Sequence, residues 1–267
     1  MADTLTHHVE AIWQCVIPTL PGFTVEVLPS IDSTNSELMR RARGGLMEPV
    51  LLVAEEQTAG RGRVGKAWHS RRGQSLTFSL ALPMAPASWS GLSLAVGVSL
   101  ANSLHPDVRL KWPNDLWLHE RKLGGILVET ASTGESPQGL RMVVIGIGLN
   151  VARPDAEALA SLGDVPSAQP PMAPAGLAEI LVGVTAGEAL ALVTPALARD
   201  LQAFESQGFA AFAQRLARCD ALQGRSVQLS DGTRGTACGV GEDGALHVLT
   251  ENGMRHVTSA EVSVRPC

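Results

Sequence analysis

The chain has 267 residues, 45% of them hydrophobic, with a formal net charge of -5 and a pI near 5.8. That is enough apolar material for one good-sized core and a small second domain, and it excludes disorder over most of the length. The acidic balance excludes a broad electrostatic footprint for nucleic acid, and no apolar run reaches the roughly 20 residues of a membrane span.

The first 23 residues, with acidic Asp3 and paired His7 and His8, lack the basic start of a signal peptide and read as a lead segment. Thr24 to Leu28 reads as a strand, and Thr34-Asn35-Ser36-Glu37 fits a capping box opening a helix through Arg43, which puts residues 32 to 35 in a strand-to-helix turn. Val50 to Ala54 is a continuous apolar strand; a polar glycine-rich loop runs from it to Gly73, and Ser75 to Leu82 is the next strand. Leu92 to Leu104 reads as a buried helix. Val108 to Lys111, Leu116 to His119, Gly125 to Thr130 and Met142 to Asn150 are four further strands with hairpin-like breaks, an α+β pattern with a mixed sheet.

Residues 152 to 175, rich in Ala and Pro, read as a mobile surface excursion, and Leu177 to Leu222 as mostly helical, with a boundary near Gln223. Beyond it come short strands over Val227 to Leu229, Gly235 to Val240, Ala245 to Leu249 and His256 to Val264. Asp231-Gly232, Asp243-Gly244 and Asn252-Gly253 separate them, the texture of a small SH3-like barrel. The expected division is therefore 1 to 23, 24 to 222 and 223 to 267. Cys15, Cys219, Cys238 and Cys267 form no CxxC pair, so neither a zinc site nor a disulfide framework is expected and a reducing cytoplasm is the expected compartment.

Four segments can carry chemistry. Gly60-Arg61-Gly62-Arg63-Val64-Gly65-Lys66 lets backbone approach a ligand among three cations and suits phosphate or carboxylate. It is not a P-loop, because Ala67 stands where the magnesium-holding hydroxyl would be and Trp68 and Gly73 follow where a helix should begin. Lys111-Trp112-Pro113-Asn114-Asp115 sets a cation and two oxygen ligands in a turn. Lys122-Leu123-Gly124-Gly125-Ile126-Leu127-Val128-Glu129 sets a cation at the mouth of an apolar strand, and Gly146-Ile147-Gly148-Leu149-Asn150 ends a strand with an amide. Taken singly, each has a plainer reading as an exposed loop, a turn, a bulged hairpin or a strand end. The only lysines in the chain, Lys66, Lys111 and Lys122, all lie in these segments, where a compact ammonium differs from the arginine used elsewhere.

Taken in order, Ser33-Thr34-Asn35, Ala54-Glu55-Glu56-Gln57, the Gly-Arg loop and the three later segments resemble the catalytic domain of biotin protein ligases over residues 24 to 150. The tail is similar to that family's C-terminal SH3-like domain. The resemblance implies a class II synthetase-like mixed sheet and an enzyme that activates biotin with MgATP as biotinyl-5'-adenylate. The acyl group would then pass to a lysine of the biotin carboxyl carrier protein of acetyl-CoA carboxylase or a related carboxylase.

It further implies that Ser33, Thr34, Asn35, Gln57, Arg61, Gly62, Arg63, Lys122 and Gly125 meet biotin. ATP would fall to Gly60, Arg61, Lys66, Trp68, Lys111, Asn114 and Asn150, and Mg²⁺ to Asn114 and Asn150. Arg63, Lys122, Asp115 and Lys111 would carry the chemistry, Asp115 near the incoming amine. Lys66 departs from the arginine usual in the family, exchanging a bidentate contact for a point charge. Neither DNA nor a membrane is an expected partner, only about 30 residues preceding the Ser-Thr-Asn turn, and a homodimer is compatible with the resemblance. The rival expectations are a lipoate or octanoate ligase and a non-catalytic biotin-binding module.

Overall fold

The computed structural model describes residues 5 to 132, 139 to 154, 174 to 258 and 264 to 266. Seven strands form one mixed sheet: β1 Thr24–Leu28, β2 Val50–Ala54, β3 Ser75–Met84, β4 Val108–Lys111, β5 Asp115–Leu118, β6 Arg121–Ser132 and β7 Arg141–Asn150. Their spatial order is β1-β2-β3-β7-β6-β5-β4. Only β1 and β2 pair in parallel; every other neighbouring pair is antiparallel. The parallel pair follows from its connection, since the helix α2, Thr34–Arg43, crosses between the two strands.

Alternation along the strands sends two sets of side chains to two faces. Leu51, Leu76, Phe78, Leu80, Val143, Ile145 and Leu149 pack in the main core, together with residues of α1 Val9–Val16, α3 Leu92–Leu104 and α4 Ala186–Gln207. Leu52, Ala81, Met142 and Val144 pack in a smaller cluster on the other face, where Leu38, Met39 and Ala42 of α2 cover them. A ten-residue helix is too short to cover seven strands. The uncovered part of that face, beyond the N-terminus of α2, is where the site described below lies.

Several boundaries differ from the sequence expectation. α2 is capped by Ser33, whose side chain accepts from the Ser36 amide, and not by Thr34 with Glu37. Glu37 instead pairs with Arg40 and Arg41 one turn on. The capping box lies at the start of α4, where Thr185 and Glu188 satisfy one another's backbone amides. The lead segment, to which the sequence reading assigned no element, contains a 3-10 turn at Leu5–His8 and then α1, which buries Ile12 and Val16. Of the excursion expected at 152 to 175, residues 155 to 173 lie outside the described residues.

A short helix α5, Ala213–Cys219, leads into a second sheet of five strands: β8 Ser226–Leu229, β9 Arg234–Val240, β10 Leu246–Thr250, β11 Gly253–Val257 and β12 Val264–Pro266. Their order is β11-β10-β9-β8-β12, antiparallel throughout, as in a small SH3-like domain. The run expected as one strand from His256 to Val264 is two, β11 pairing with β10 and β12 with β8, at opposite edges. Gly232, Gly244 and Gly253, at φ 88°, 78° and 105°, make the turns foreseen from their dipeptides. The second sheet rests on the first unit at definite contacts. The Trp112 indole donates to the Gly244 carbonyl at 3.1 Å, and the Ser90 hydroxyl donates to that of Asp243. No helix among the described residues is long and apolar enough to cross a membrane.

Candidate active site

A cavity of about 550 Å³ opens on the uncovered face of the seven-stranded sheet. Its floor exists because the residues there are small. In the row across β3, β7 and β6, Ser79 pairs with Gly146 and Gly146 with Leu127. A Cβ on Gly146 would stand 2.4 Å from Asn35 Oδ1, and one on Gly148 would stand 2.3 Å from the Trp68 ring. Both glycines therefore admit a side chain laid flat on the sheet.

One end of the cavity is neutral and polar. Because Ser33 is the N-cap, Thr34 and Asn35 begin the helix with side chains turned inward, and all three are buried. Gln57 Oε1 accepts from the Thr34 amide at 2.7 Å and lies 3.0 Å from the Thr34 hydroxyl. Thr34 Oγ1 lies 2.8 Å from Ser79 Oγ, which donates to Asn35 Oδ1 at 2.9 Å, and Asn35 Nδ2 donates to Glu129 at 2.7 Å. Asp32 secures the turn from outside. It accepts from the Ser33 amide at 2.7 Å and from Arg40 through both oxygens, and the guanidinium holds its carboxyl below the usual carboxylate range.

The other end is cationic. Lys122 Nζ stands 2.8 Å from Asp115 Oδ1, and Lys111 Nζ stands 4.0 Å from Asp115 Oδ2 and 5.2 Å from the centre of the Trp117 ring. Arg63 donates to Asn114 Oδ1 at 3.1 Å, and the Asn114 amide in turn donates to the Ile126 carbonyl at 2.9 Å. Burial pushes the Arg63 guanidinium below its ordinary value, with the Asp115 carboxylate opposing that shift. The Gly-Arg loop reaches the cavity as a narrow ribbon. Trp68 N bonds to Gly60 O at 2.9 Å and Gly62 N to Lys66 O at 2.7 Å, and Val64 and Gly65 turn the chain at φ 55° and 72°. A Cβ on Gly60 would meet the Trp68 carbonyl at 2.3 Å, so the ribbon closes only on glycine there.

Two family models match the chain: "Biotin/lipoate A/B protein ligase family" over residues 27–150 and "Biotin protein ligase C terminal domain" over residues 224–265. The bifunctional ligase/repressor BirA of Escherichia coli is 35% identical over 261 residues, which span 94% of this chain and 77% of that protein. The chain belongs to the biotin protein ligase family. A biotin--[acetyl-CoA-carboxylase] ligase of Paracoccus denitrificans is 33% identical over 88% of this ligase and 98% of its own length. Among solved structures, the biotin protein ligase of Aquifex aeolicus in complex with biotin and ATP superposes with a TM-score of 0.73 at 27% identity. That superposition covers 91% of this ligase and 99% of the Aquifex chain.

The ligase gathers most of the residues singled out from sequence. Ser33, Thr34, Asn35 and Gln57 line the polar end, Lys111, Asn114, Asp115, Lys122 and Gly125 the cationic end, and Arg61, Gly62, Arg63, Lys66 and Trp68 come from the loop. Gly60 does not itself line the cavity but shapes the ribbon. Asn150 is buried outside the lining, its amide donating to the Ala175 carbonyl at 3.0 Å. Sequence reading missed Ser79 and Ser230, which line the cavity, and it singled out the Gly146 to Asn150 segment for the Asn150 amide, whereas Gly146 and Gly148 are the ones that line it. For Ser79 the signal was a row of hydroxyls, Ser75, Thr77 and Ser79, alternating with apolar residues along β3; for Ser230, just past β8, local sequence held none.

Proposed function

We propose that this ligase activates biotin with MgATP and transfers it to the acceptor lysine of a biotin carboxyl carrier protein, as the names of its relatives suggest. The observation that carries the reading is that Arg63, Lys111 and Lys122, from three distant segments, line one cavity whose far end offers neutral donors and acceptors. A bicyclic acid with a polar urea at one end and a carboxylate at the other fits that division. Thr34, Asn35 and Gln57 meet the urea, and Lys122 and Arg63 meet the carboxylate.

In the first step a carboxylate oxygen attacks the α-phosphorus of ATP and the bond to the β-phosphate breaks, releasing pyrophosphate. Two anions must approach, and the three cations lower their repulsion and stabilise the charge that gathers on the departing oxygens. In the second step the carrier amine attacks the acyl carbon, AMP leaves and the amine sheds a proton, for which Asp115 is the carboxylate in the cavity. No protein nucleophile is needed. Trp68, beside Gly148, and Lys66 serve the nucleotide.

Magnesium belongs to the substrate in this reading. No cluster of three His, Cys, Asp or Glu exists among the described residues, and Asn150 is turned to Ala175. The residues present do not make a dedicated site, which agrees with the preference of Mg²⁺ for phosphate oxygens and water. The carrier reaction belongs in the cytoplasm, and residues 24 to 222 with 223 to 267 are its two working units. That division is supported by the separate matches at 27–150 and 224–265.

The test is biotin-dependent exchange of labelled pyrophosphate into ATP, followed by mass measurement of a carrier domain after incubation. Lys122→Ala is expected to lower kcat/KM by about a hundredfold or more, the scale of one lost charged contact to a developing anion. Octanoate and lipoate serve as competing acids; exchange driven by either of them and not by biotin would overturn the reading. Biotin binding without exchange would make the chain a binding module.

A further inference from the structure

Glu129 lies on β6 two residues past Leu127 and does not line the cavity, yet its carboxylate joins two side chains that do. Its Oε2 accepts from Asn35 Nδ2 at 2.7 Å, and its Oε1 accepts from Arg61 Nη2 at 3.0 Å. Arg61 Nη1 adds a longer contact to Oε2 at 3.3 Å. One residue of β6 thus holds both the polar end of the cavity and the Gly-Arg loop.

An ionised carboxylate only accepts, and this fixes proton directions through the whole polar end. Asn35 must turn its nitrogen to Glu129 and its oxygen to Ser79. The single hydroxyl hydrogen of Ser79 is then given to Asn35 Oδ1 at 2.9 Å. Thr34 Oγ1, 2.8 Å from Ser79 Oγ and 3.0 Å from Gln57 Oε1, then gives its one hydrogen to one of these two oxygens. Gln57 Oε1 also accepts from the Thr34 amide at 2.7 Å, and the Thr34 hydroxyl faces a ligand with lone pairs alone. Gly146 makes room for this seat of Asn35, since a Cβ there would fall 2.4 Å from Oδ1.

We infer that Glu129 is a positioning residue: it sets the donor and acceptor pattern with which Thr34 and Asn35 read the N–H groups of the urea, and it fastens the Gly-Arg loop to the same strand through Arg61. The inference rests on the assignment of this cavity to biotin. Glutamine cannot replace the carboxylate. With its oxygen toward Asn35 it presents an NH₂ to the Arg61 guanidinium, and with its nitrogen toward Asn35 it forces that amide to flip, reversing the chain at Ser79 and Thr34. Aspartate keeps two acceptor oxygens on a shorter arm.

The experiment compares wild type with Glu129→Gln and Glu129→Asp by pyrophosphate exchange, at varied biotin and at varied ATP. Amide hydrogen exchange over residues 60 to 66 is measured without ligand, and the thermal midpoint controls for folding. Glu129→Gln is expected to raise the KM for biotin by about 10- to 100-fold, the range for a lost hydrogen bond to a charged group, and the KM for ATP by a smaller factor through Lys66 on the loosened loop. Exchange of the loop amides is expected to quicken, and Glu129→Asp to recover part of both effects; it also carries the test should the glutamine variant fail to fold.

A glutamine variant with wild-type KM for biotin and unchanged loop exchange overturns the relay while leaving biotin as substrate. Equal rises in both KM values with a lowered midpoint also overturn it, because general damage to the fold explains them. Wild-type protein that shows no biotin-dependent exchange removes the biotin assignment itself, whatever the loop amides do.

Discussion

Ser33, Thr34 and Asn35 show how one residue's position decides what its neighbours can do. Thr34 and Glu37 have the same Thr-x-x-Glu spacing as Thr185 and Glu188, and of these two pairs only the second forms a capping box. Moving the cap of α2 to Ser33 releases Thr34 and Asn35 from backbone duty, so the competition between capping and ligand contact is resolved by one residue of register. Single-sequence reading could not see this, because Ser33 and Thr34 are both good caps and the burial that separates them is tertiary. It did single out cations flanked by glycines, which the fold gathers at one cavity. At the same scale, Gly148→Ala would drive a methyl to 2.3 Å from the Trp68 ring, which has a buried and unpartnered Nε1. Overpacking of this kind costs about 1 to 3 kcal/mol. The variant is expected to fold and to raise the KM for ATP about tenfold in the exchange assay, with the KM for biotin little changed.

Among the elements, the strands of the first sheet were the most legible. β2 and α3 have the bounds their apolar patterns predict, because both are buried along nearly their whole length. β6 was not: it runs from Arg121 to Ser132, well beyond the apolar Gly125 to Thr130, since its ends are held by pairing with β5 and β7 and not by burial. α1 was missed for a related reason. Eight residues with two buried side chains give too little periodicity to stand out, and the helix exists because α4 packs on it. α4 itself depends on its start. Thr185→Ala removes the acceptor for the Glu188 amide, which lies 3.2 Å from the hydroxyl, and is expected to lower the unfolding free energy by about 1 kcal/mol in a urea titration with an unchanged slope. A loss well below that would mean that packing alone holds the first turn.

For the molecule as a whole, the joint between the two sheets lay beyond sequence reading. A boundary near Gln223 could be read from texture, but not that the Ala221 amide bonds to the Leu110 carbonyl at 3.0 Å or that Ser230 reaches the cavity. Asp220 sits in that joint, accepting from the Leu222 amide at 2.8 Å, and burial raises its pKa from 3.8. The folded state therefore keeps this proton to higher pH than the unfolded chain does. Stability is lost as pH climbs from about 3.8 through the folded value. Asp220→Asn cannot ionise, so its unfolding free energy should gain on wild type between pH 4 and pH 7; parallel curves in chemical denaturation would refute the assignment. The distribution of lysine has a practical corollary. With Lys66, Lys111 and Lys122 all on the cavity wall, the only side-chain amines of the protein border its reaction chamber. Succinimidyl dyes and amine-coupled sensor chips, harmless decorations on most proteins, would here plug the chamber, and immobilisation chemistry should be directed at a thiol.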